Sequence, residues 1–486
     1  MRPYVAGVDT STQSCKVIIW DPATGQIVRE GKASHPDGTE IHPDHWWTAF
    51  EQALEAAGGL DDVHALSVGG QQHGMVCLDA DGQVIRPALL WNDTRSAQAA
   101  VDLIEEYGGE TGGNADGVQR GNDSEGLDAA CCTGGTQESG VGQRATELAT
   151  AHEVGKRWWV EATGSVPVAS FTVTKLRWLA DNEPENAARI AAICLPHDWL
   201  TWKISGSTDL ADLRTDRSDA SGTGYVAADG STYRYDILAR ALHIDEDAAR
   251  RIILPRICEP WEVAGRGDAT RGWGEILLGP GCGDNAGAAL GVDLRPGQAL
   301  LSLGTSGVIS AVAAQPVADP EGLVAGFSDA SGHWLPLACT LNASRIIDAM
   351  CKVTGLDYDA FDEAALSVPD ARGLVLVPYF EGERTPNLPH ATATLSGMTL
   401  ANSAPEYVAR ATVEGLLGLM RFALDAVRNL GAPIDEVVMV GGGARSRAVQ
   451  ALADGVLGAR VRVAPSAEYV ALGAARQAAE VARRAG

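Results

Sequence analysis

Two strand-turn-strand units, one opening the chain and one in its second half, constrain the fold more than any other feature of the sequence. Residues 4–8 and 15–20 read as short strands, and the turn Asp21-Pro22-Ala23-Thr24-Gly25 leads to a third run over residues 26–28. Trp47, Phe50 and Leu54, three and four apart, give the next segment a helical face, and residues 63–68 read as a further strand. The opening therefore predicts the order β-β-β-α-β. A similar opening recurs where residues 299–303, the turn Gly304-Thr305-Ser306-Gly307 and residues 308–312 form a second unit. Helical periodicity over residues 405–430, a buried strand type over 437–440 and two more helical stretches, 446–457 and 467–484, complete a second mixed half. Two related α/β halves are the expectation, and 486 residues are ample for two cores.

Charge narrows the partners. Asp and Glu number 63 against 38 Lys and Arg, a formal charge of -25, and such a field repels nucleic acid backbones and anionic membrane surfaces. It repels free nucleotides as well, so a nucleotide site on this chain has to rely on local amide nests and a divalent cation. The first residues lack an apolar signal core, and no apolar run approaches the roughly 18 residues of a membrane span, so a cytoplasmic protein is expected. The nine cysteines include no C-x-x-C pair, which argues against a zinc site or a disulfide framework. Residues 108–143, with 11 glycines, few large apolar side chains and the vicinal pair Cys131-Cys132, read as a flexible insertion.

Several clusters carry chemistry. Asp9-Thr10-Ser11-Thr12, with Lys16 just beyond, gathers a carboxylate and hydroxyls at the tip of the first hairpin. A carboxylate holds magnesium directly or through its waters, while turn amides and hydroxyls donate to phosphate oxygens. The second turn, Gly304-Thr305-Ser306-Gly307, lets backbone approach a phosphate chain. Gly441-Gly442-Gly443 follows a strand and precedes a helix, which suits a base or ribose lying against it. Gly281-Cys282-Gly283-Asp284-Asn285-Ala286 matches G-x-G-x-x-A, but no clean strand precedes it and no acidic residue stands about 20 positions on, so the dinucleotide reading fails. Asp284 is instead placed to act as a general base toward a hydroxyl. Gln71-Gln72-His73-Gly74 and Trp91-Asn92-Asp93-Thr94-Arg95 gather amides, an imidazole and a guanidinium suited to a polyhydroxyl ligand. Neither a P-loop nor the H-R-D and D-F-G pair of protein kinases occurs.

In this order, these motifs resemble the FGGY carbohydrate kinases, and Thr174-Lys175-Leu176-Arg177-Trp178-Leu179 is similar to that family's K-x-x-W segment. Glu381-Gly382-Glu383-Arg384-Thr385-Pro386 resembles a stretch of its ketopentose kinases. The resemblance spans nearly the whole chain. It implies two actin-like, ribonuclease H-like domains flanking a catalytic cleft: residues 1–290 mainly binding sugar, residues 291–486 mainly binding nucleotide. It implies ATP and Mg2+ as cofactors and a small sugar as substrate, and leaves a homodimer open. Carried over, Asp284 is the catalytic base and Asp9 the metal-side carboxylate. Gln72, His73, Trp91, Arg95, Asp284 and Asn285 address the sugar. Thr10, Ser11, Thr12, Lys16, Gly304, Thr305, Ser306, Gly442 and Gly443 address the nucleotide. The turn departs from the family's more usual Asp-x-Gly-Thr. A ketopentose is the expected acceptor, with ribulose, gluconate, fuculose and glycerol as alternatives; a chaperone-type ATPase on the same chassis is disfavoured by Asp284 beside Gln72-His73.

Overall fold

In the computed structural model, residues 3–113 and 138–486 are described. Two twisted mixed sheets organise them. The first contains β1 (Tyr4–Thr10), β2 (Ser14–Asp21), β3 (Gln26–Ser34), β4 (Val63–Gly70), β5 (Gly265–Arg266), β6 (Leu277–Leu278) and β7 (Cys282–Gly283). Strands β1, β2 and β3 form the antiparallel meander that the alternating sequence predicts, and β4 then runs parallel to β1. The second contains β8 (Gly297–Leu303), β9 (Gly307–Ala311), β10 (Ala325–Ser328), β11 (Trp334–Thr340), β12 (Ile434–Val440) and β13 (Arg460–Val463), in the order β10-β11-β9-β8-β12-β13. Here too an antiparallel hairpin leads, and β12 runs parallel to its first strand.

The helices that bear on the site and its frame are α1 (Asp44–Ala56), α2 (Ala97–Gly113), α3 (Glu138–Thr163), α4 (Thr172–Asn182), α5 (Pro196–Ser205), α6 (Arg217–Ala220), α7 (Asp284–Gly291), α8 (Ser344–Thr354), α9 (Tyr358–Ser367), α10 (Pro405–Asn429), α11 (Arg447–Leu457) and α12 (Tyr469–Ala485). Helix α1 buries Trp46 with Phe50 and Leu54, while Trp47 is only half-buried, one position off the face read from the sequence. The expected insertion is shorter at both ends than its glycine content suggests: residues 108–113 continue α2 and residues 138–143 begin α3. Gly108 and Gly155 allow these helices to meet backbone to backbone, since a Cβ on either would strike a carbonyl of the other helix. Cys131 and Cys132 lie outside the described residues. The seven described cysteines are free thiols, five of them buried.

The last helix, α12, leaves the second sheet yet packs on the first. Its small residues Ala471, Gly473, Ala475 and Ala478 bring it against β1 and α7: Cβ atoms added at Gly7 and Gly291 would collide with the backbone of α12, and one added at Gly473 would collide with the Gly287 carbonyl. A second connection is apolar: Phe327 and Leu337, from the second sheet, are buried in one cluster with Phe171, Trp159 and Tyr225. No helix among the described residues is long and apolar enough to cross a membrane.

Candidate active site

Strand register assembles the site. Asp9 and Thr10 at the end of β1 lie beside Gly69 and Gly70 at the end of β4, and those lie beside Cys282 and Gly283 of β7. All three strands are parallel, so their carboxyl ends open on one edge, the place where open α/β sheets bind ligands. The segments that leave these strand ends are therefore brought together: the Ser11 turn, Gln71-Gln72-His73, and Asp284-Asn285.

The sugar-side residues interlock. Asn285 donates from Nδ2 to Gln72 Oε1 at 2.9 Å and to Asp284 Oδ1 at 2.9 Å. A Cβ on Gly283 would stand 2.8 Å from Gln72 Cγ, so glycine is required for this approach. His73 occupies the left-handed region (φ 68) and donates from Nδ1 to the Gly222 carbonyl at 2.8 Å, which leaves Nε2 as an acceptor. Its ring stacks on Phe171 at 4.9 Å. Burial, then the Lys175 charge, pushes His73 down to about 3, so it is neutral near pH 7. Lys175 and Thr172 both donate to the His73 carbonyl, at 3.3 Å each, fixing the unusual backbone.

Asp284 heads α7 and is only partly exposed. Enclosure by protein, then the nearby charges of Asp219 and Asp9, raises it to about 7, where a carboxylate exchanges protons near neutral pH. Asp9 is 3% exposed; Lys16 holds its Oδ2 at 3.3 Å, while Oδ1 is buried with no partner. Burial outweighs Lys16 and brings Asp9 to about 6. Lys16 also pairs at 2.6 Å with Glu468, just before α12, so one ion-pair chain links the first hairpin to the segment after the second sheet. Ser11 closes the hairpin on Ser14, and Thr12 accepts from Trp91 Nε1 at 2.9 Å, placing the 41% exposed indole at the rim. Arg95 is not brought to this group by its contacts: its guanidinium is engaged by Asp93 at 2.9 Å, by Glu40 at 3.1 Å and by the face of Trp178.

The second turn builds a separate group. Ser302 of β8 pairs with Val440 of β12, so residues 304–307 and 441–443 sit side by side. Gly304 donates to the Ser306 carbonyl and accepts from both the amide and hydroxyl of Ser344. Gly441 (φ 95) packs its Cα on Leu303, where a Cβ would lie 2.6 Å from the carbonyl oxygen. A cavity of about 470 Å³ opens beside Gly442 and Gly443, walled by Ser344, Tyr358 and Asp362. Thr305 is exposed and Ser306 half-buried on this turn.

Reading the sequence missed Lys175 as an anchor, although its segment stood out, and missed Ser218. Ser218 accepts from Gly283 N through its hydroxyl at 3.1 Å and from Gln72 Nε2 through its carbonyl at 3.4 Å. Nothing in the local pattern of Thr215-Asp216-Arg217-Ser218 marks that contact.

Comparison with known proteins agrees with this architecture. Profiles described as the FGGY family of carbohydrate kinases match residues 4–117 and 143–291 for the N-terminal domain and residues 299–481 for the C-terminal domain. A xylulose kinase of Streptomyces coelicolor is 41% identical over 98% of this chain and 88% of the relative. The crystal structure of xylulose kinase from Bifidobacterium adolescentis has a TM-score of 0.87 and 48% identity, covering 99% of this chain and 93% of that one. Plasmodium falciparum glycerol kinase with ADP, 18% identical, shares the fold at a TM-score of 0.78, covering 99% of this chain and 90% of that one. The chain belongs to the FGGY family of carbohydrate kinases. It is a sugar kinase of the actin-like ATPase fold, in a family that uses ATP as substrate.

Proposed function

We propose that the chain transfers the γ-phosphoryl of ATP to the terminal hydroxyl of D-xylulose, giving D-xylulose 5-phosphate, in the cytoplasm. The observation that carries this reading is Asp284, raised to about 7 and set by strand register beside Gln72, His73 and Asn285. Its likeness over nearly full length to proteins named xylulose kinase supports the choice of sugar.

In this reading residues 1–290 hold the sugar and residues 291–486 the nucleotide. The sugar hydroxyls meet Gln72, Asn285 and the lone pair of His73 Nε2, with Trp91 at the rim. Asp284 in its ionised form accepts the proton of the terminal hydroxyl as the new O–P bond forms and the bond to the ADP oxygen breaks. The acceptor oxygen then carries the phosphoryl group, and ADP leaves. Asp9 fits a magnesium ion: its buried Oδ1 lacks a partner and is the kind of hard oxygen that magnesium or its waters take. Bound there with ATP, magnesium would neutralise phosphate oxygens, and the first hairpin's turn, with Thr10, Ser11, Thr12 and Lys16, would face the same phosphates. Gly304, Thr305 and Ser306 offer the second turn, and Gly442 and Gly443 the face for the nucleoside.

A panel of D-xylulose, ribulose, gluconate, fuculose and glycerol, each with ATP, tests the proposal by mass spectrometry of the product. D-Xylulose is expected to give the highest kcat/KM and one phosphate per ATP consumed. Hydrolysis of ATP that ignores every sugar would overturn it.

A further inference from the structure

Beneath the sugar site lies a group of ionisable side chains that the phosphoryl transfer does not use. His197, at the start of α5, is fully buried, and its Nε2 is 3.3 Å from Asp198, 3.3 Å from Asp219 and 3.5 Å from Asp216. Three carboxylates around one imidazole, all in the interior, are costly unless the ring is charged, because burial of unbalanced anions is strongly unfavourable.

The same residues touch the backbone of the site from two sides. The ring fills the space beneath Gly281, where a Cβ would lie 2.5 Å from Nδ1, and a Cβ on Gly70 would lie 2.9 Å from the His197 Cβ. Gly70 precedes Gln71-Gln72-His73, and Gly281 precedes Gly283-Asp284. Asp216 caps α6 by accepting from the amides of Ser218 at 2.7 Å and Asp219 at 3.1 Å. From that short helix Ser218 receives Gly283 N and Gln72 Nε2. The Asp219 carbonyl receives Gly222 N at 2.9 Å, and the Gly222 carbonyl receives His73 Nδ1. Gln72, His73 and Gly283, the residue before Asp284, are thus fastened to residues 216–222, and the His197 imidazole faces that segment.

From this geometry we infer that His197 is a positioning residue for the sugar pocket, its cationic ring locking residues 216–222 against the ends of β4 and β7. The inference rests on the sugar-site reading above. Burial works against the charge, but Asp198, Asp219 and Asp216 outweigh it and hold the imidazolium up to about 9. Burial raises the carboxylates too, Asp198 to about 7 and Asp216 to about 6, with Asp219 raised in the same direction. The other titratable groups around the cluster include Asp284, which feels Asp219 and is raised to about 7, and Cys194, Cys258, Cys282, Tyr225 and Tyr233, which burial pushes upward so that they stay neutral at neutral pH.

The test pairs two variants with a spectroscopic reading. His197→Gln, which keeps a hydrogen-bonding side chain but loses the charge, is expected to raise the sugar KM about tenfold while the ATP KM moves less than about twofold. His197→Lys, which restores a cation, is expected to return the sugar KM to within about threefold of wild type. A folded Gln variant with unchanged sugar KM, or a Lys variant no better than Gln, overturns the inference. Nitrogen NMR of the wild-type imidazole decides the charge even if a variant fails to fold: an imidazolium at pH 7.5 supports the role, and a neutral ring overturns it. Wild-type protein that phosphorylates no sugar sinks the site reading instead, and the NMR result still decides the charge of His197.

Discussion

The two sheets repeat one plan and differ in what stands at the tip of the leading hairpin. In the first, β1 and β2 turn over Asp9, Ser11 and Thr12 with Lys16 opposite Asp9; in the second, β8 and β9 turn over Gly304, Thr305 and Ser306 with no charged side chain. The neighbouring parallel strand differs in the same way, since β4 leads into Gln71-Gln72-His73 and β12 into Gly441-Gly442-Gly443. In the proposed reading each turn offers its backbone to the phosphate chain. At these strand ends ionisable side chains stand only in the first sheet, where burial has shifted both Asp9 and Asp284 upward.

This asymmetry can be broken most severely at Asp284. Asp284→Asn is expected to lower kcat by about 10²–10⁴ with sugar and ATP binding retained. A folded variant keeping more than about a tenth of wild-type kcat would remove the general base from the first half. At the hairpin tip, Asp9→Asn is expected to cost about 10- to 100-fold in kcat and to raise the magnesium concentration for half-activity, with sugar KM little changed. An unchanged magnesium dependence would mean the two tips are equivalent after all.

The comparison is sharpened by pH. Asp284 must be ionised to accept a proton, so kcat/KM for sugar should fall as pH drops through about 7, approaching tenfold per unit below that. A flat profile down to pH 5 would contradict the raised carboxylate. Stability should respond in the opposite sense above neutrality. His197 is raised from 6.5 to about 9, so its contribution is complete below pH 6.5 and is lost as pH rises through 9, on the order of 3 kcal/mol. Thermal midpoints measured from pH 7 to 9 should fall, and should fall less in His197→Gln.

The smallest effect is expected in the second half. A Cβ at Gly442 meets no atom within 4 Å, so Gly442→Ala should fold normally and raise only the ATP KM, by about threefold, if a nucleoside lies against that face. Calorimetric titration with ATP and with sugar checks this, and an unchanged ATP affinity would move the nucleoside elsewhere.

What the sequence determined by itself is local. Alternating apolar residues with turn chemistry between them set the two hairpins, because a strand of period two next to a tight turn has few other ways to bury one face. The helical periods of residues 405–430 and 467–484 did the same for α10 and α12. Asp9, Gln72, His73 and Asp284 were legible because each stands within a few residues of a strand end, where chain direction alone delivers it to the sheet's edge. The tertiary structure decided everything that depended on distant partners. Trp46 rather than Trp47 faces the core, on the helix face it shares with Ala49, Phe50, Ala53 and Leu54, whose burial shows only once α1 is packed. Arg95 turned to Asp93, Glu40 and Trp178, since a guanidinium follows whichever carboxylates the fold places nearby. Ser218 and His197 carry no motif at all, and the K-x-x-W segment that holds Lys175 does not say what that lysine anchors; their roles follow from hydrogen bonds and charges that cross from one segment to another, and such contacts exist only once the chain has folded.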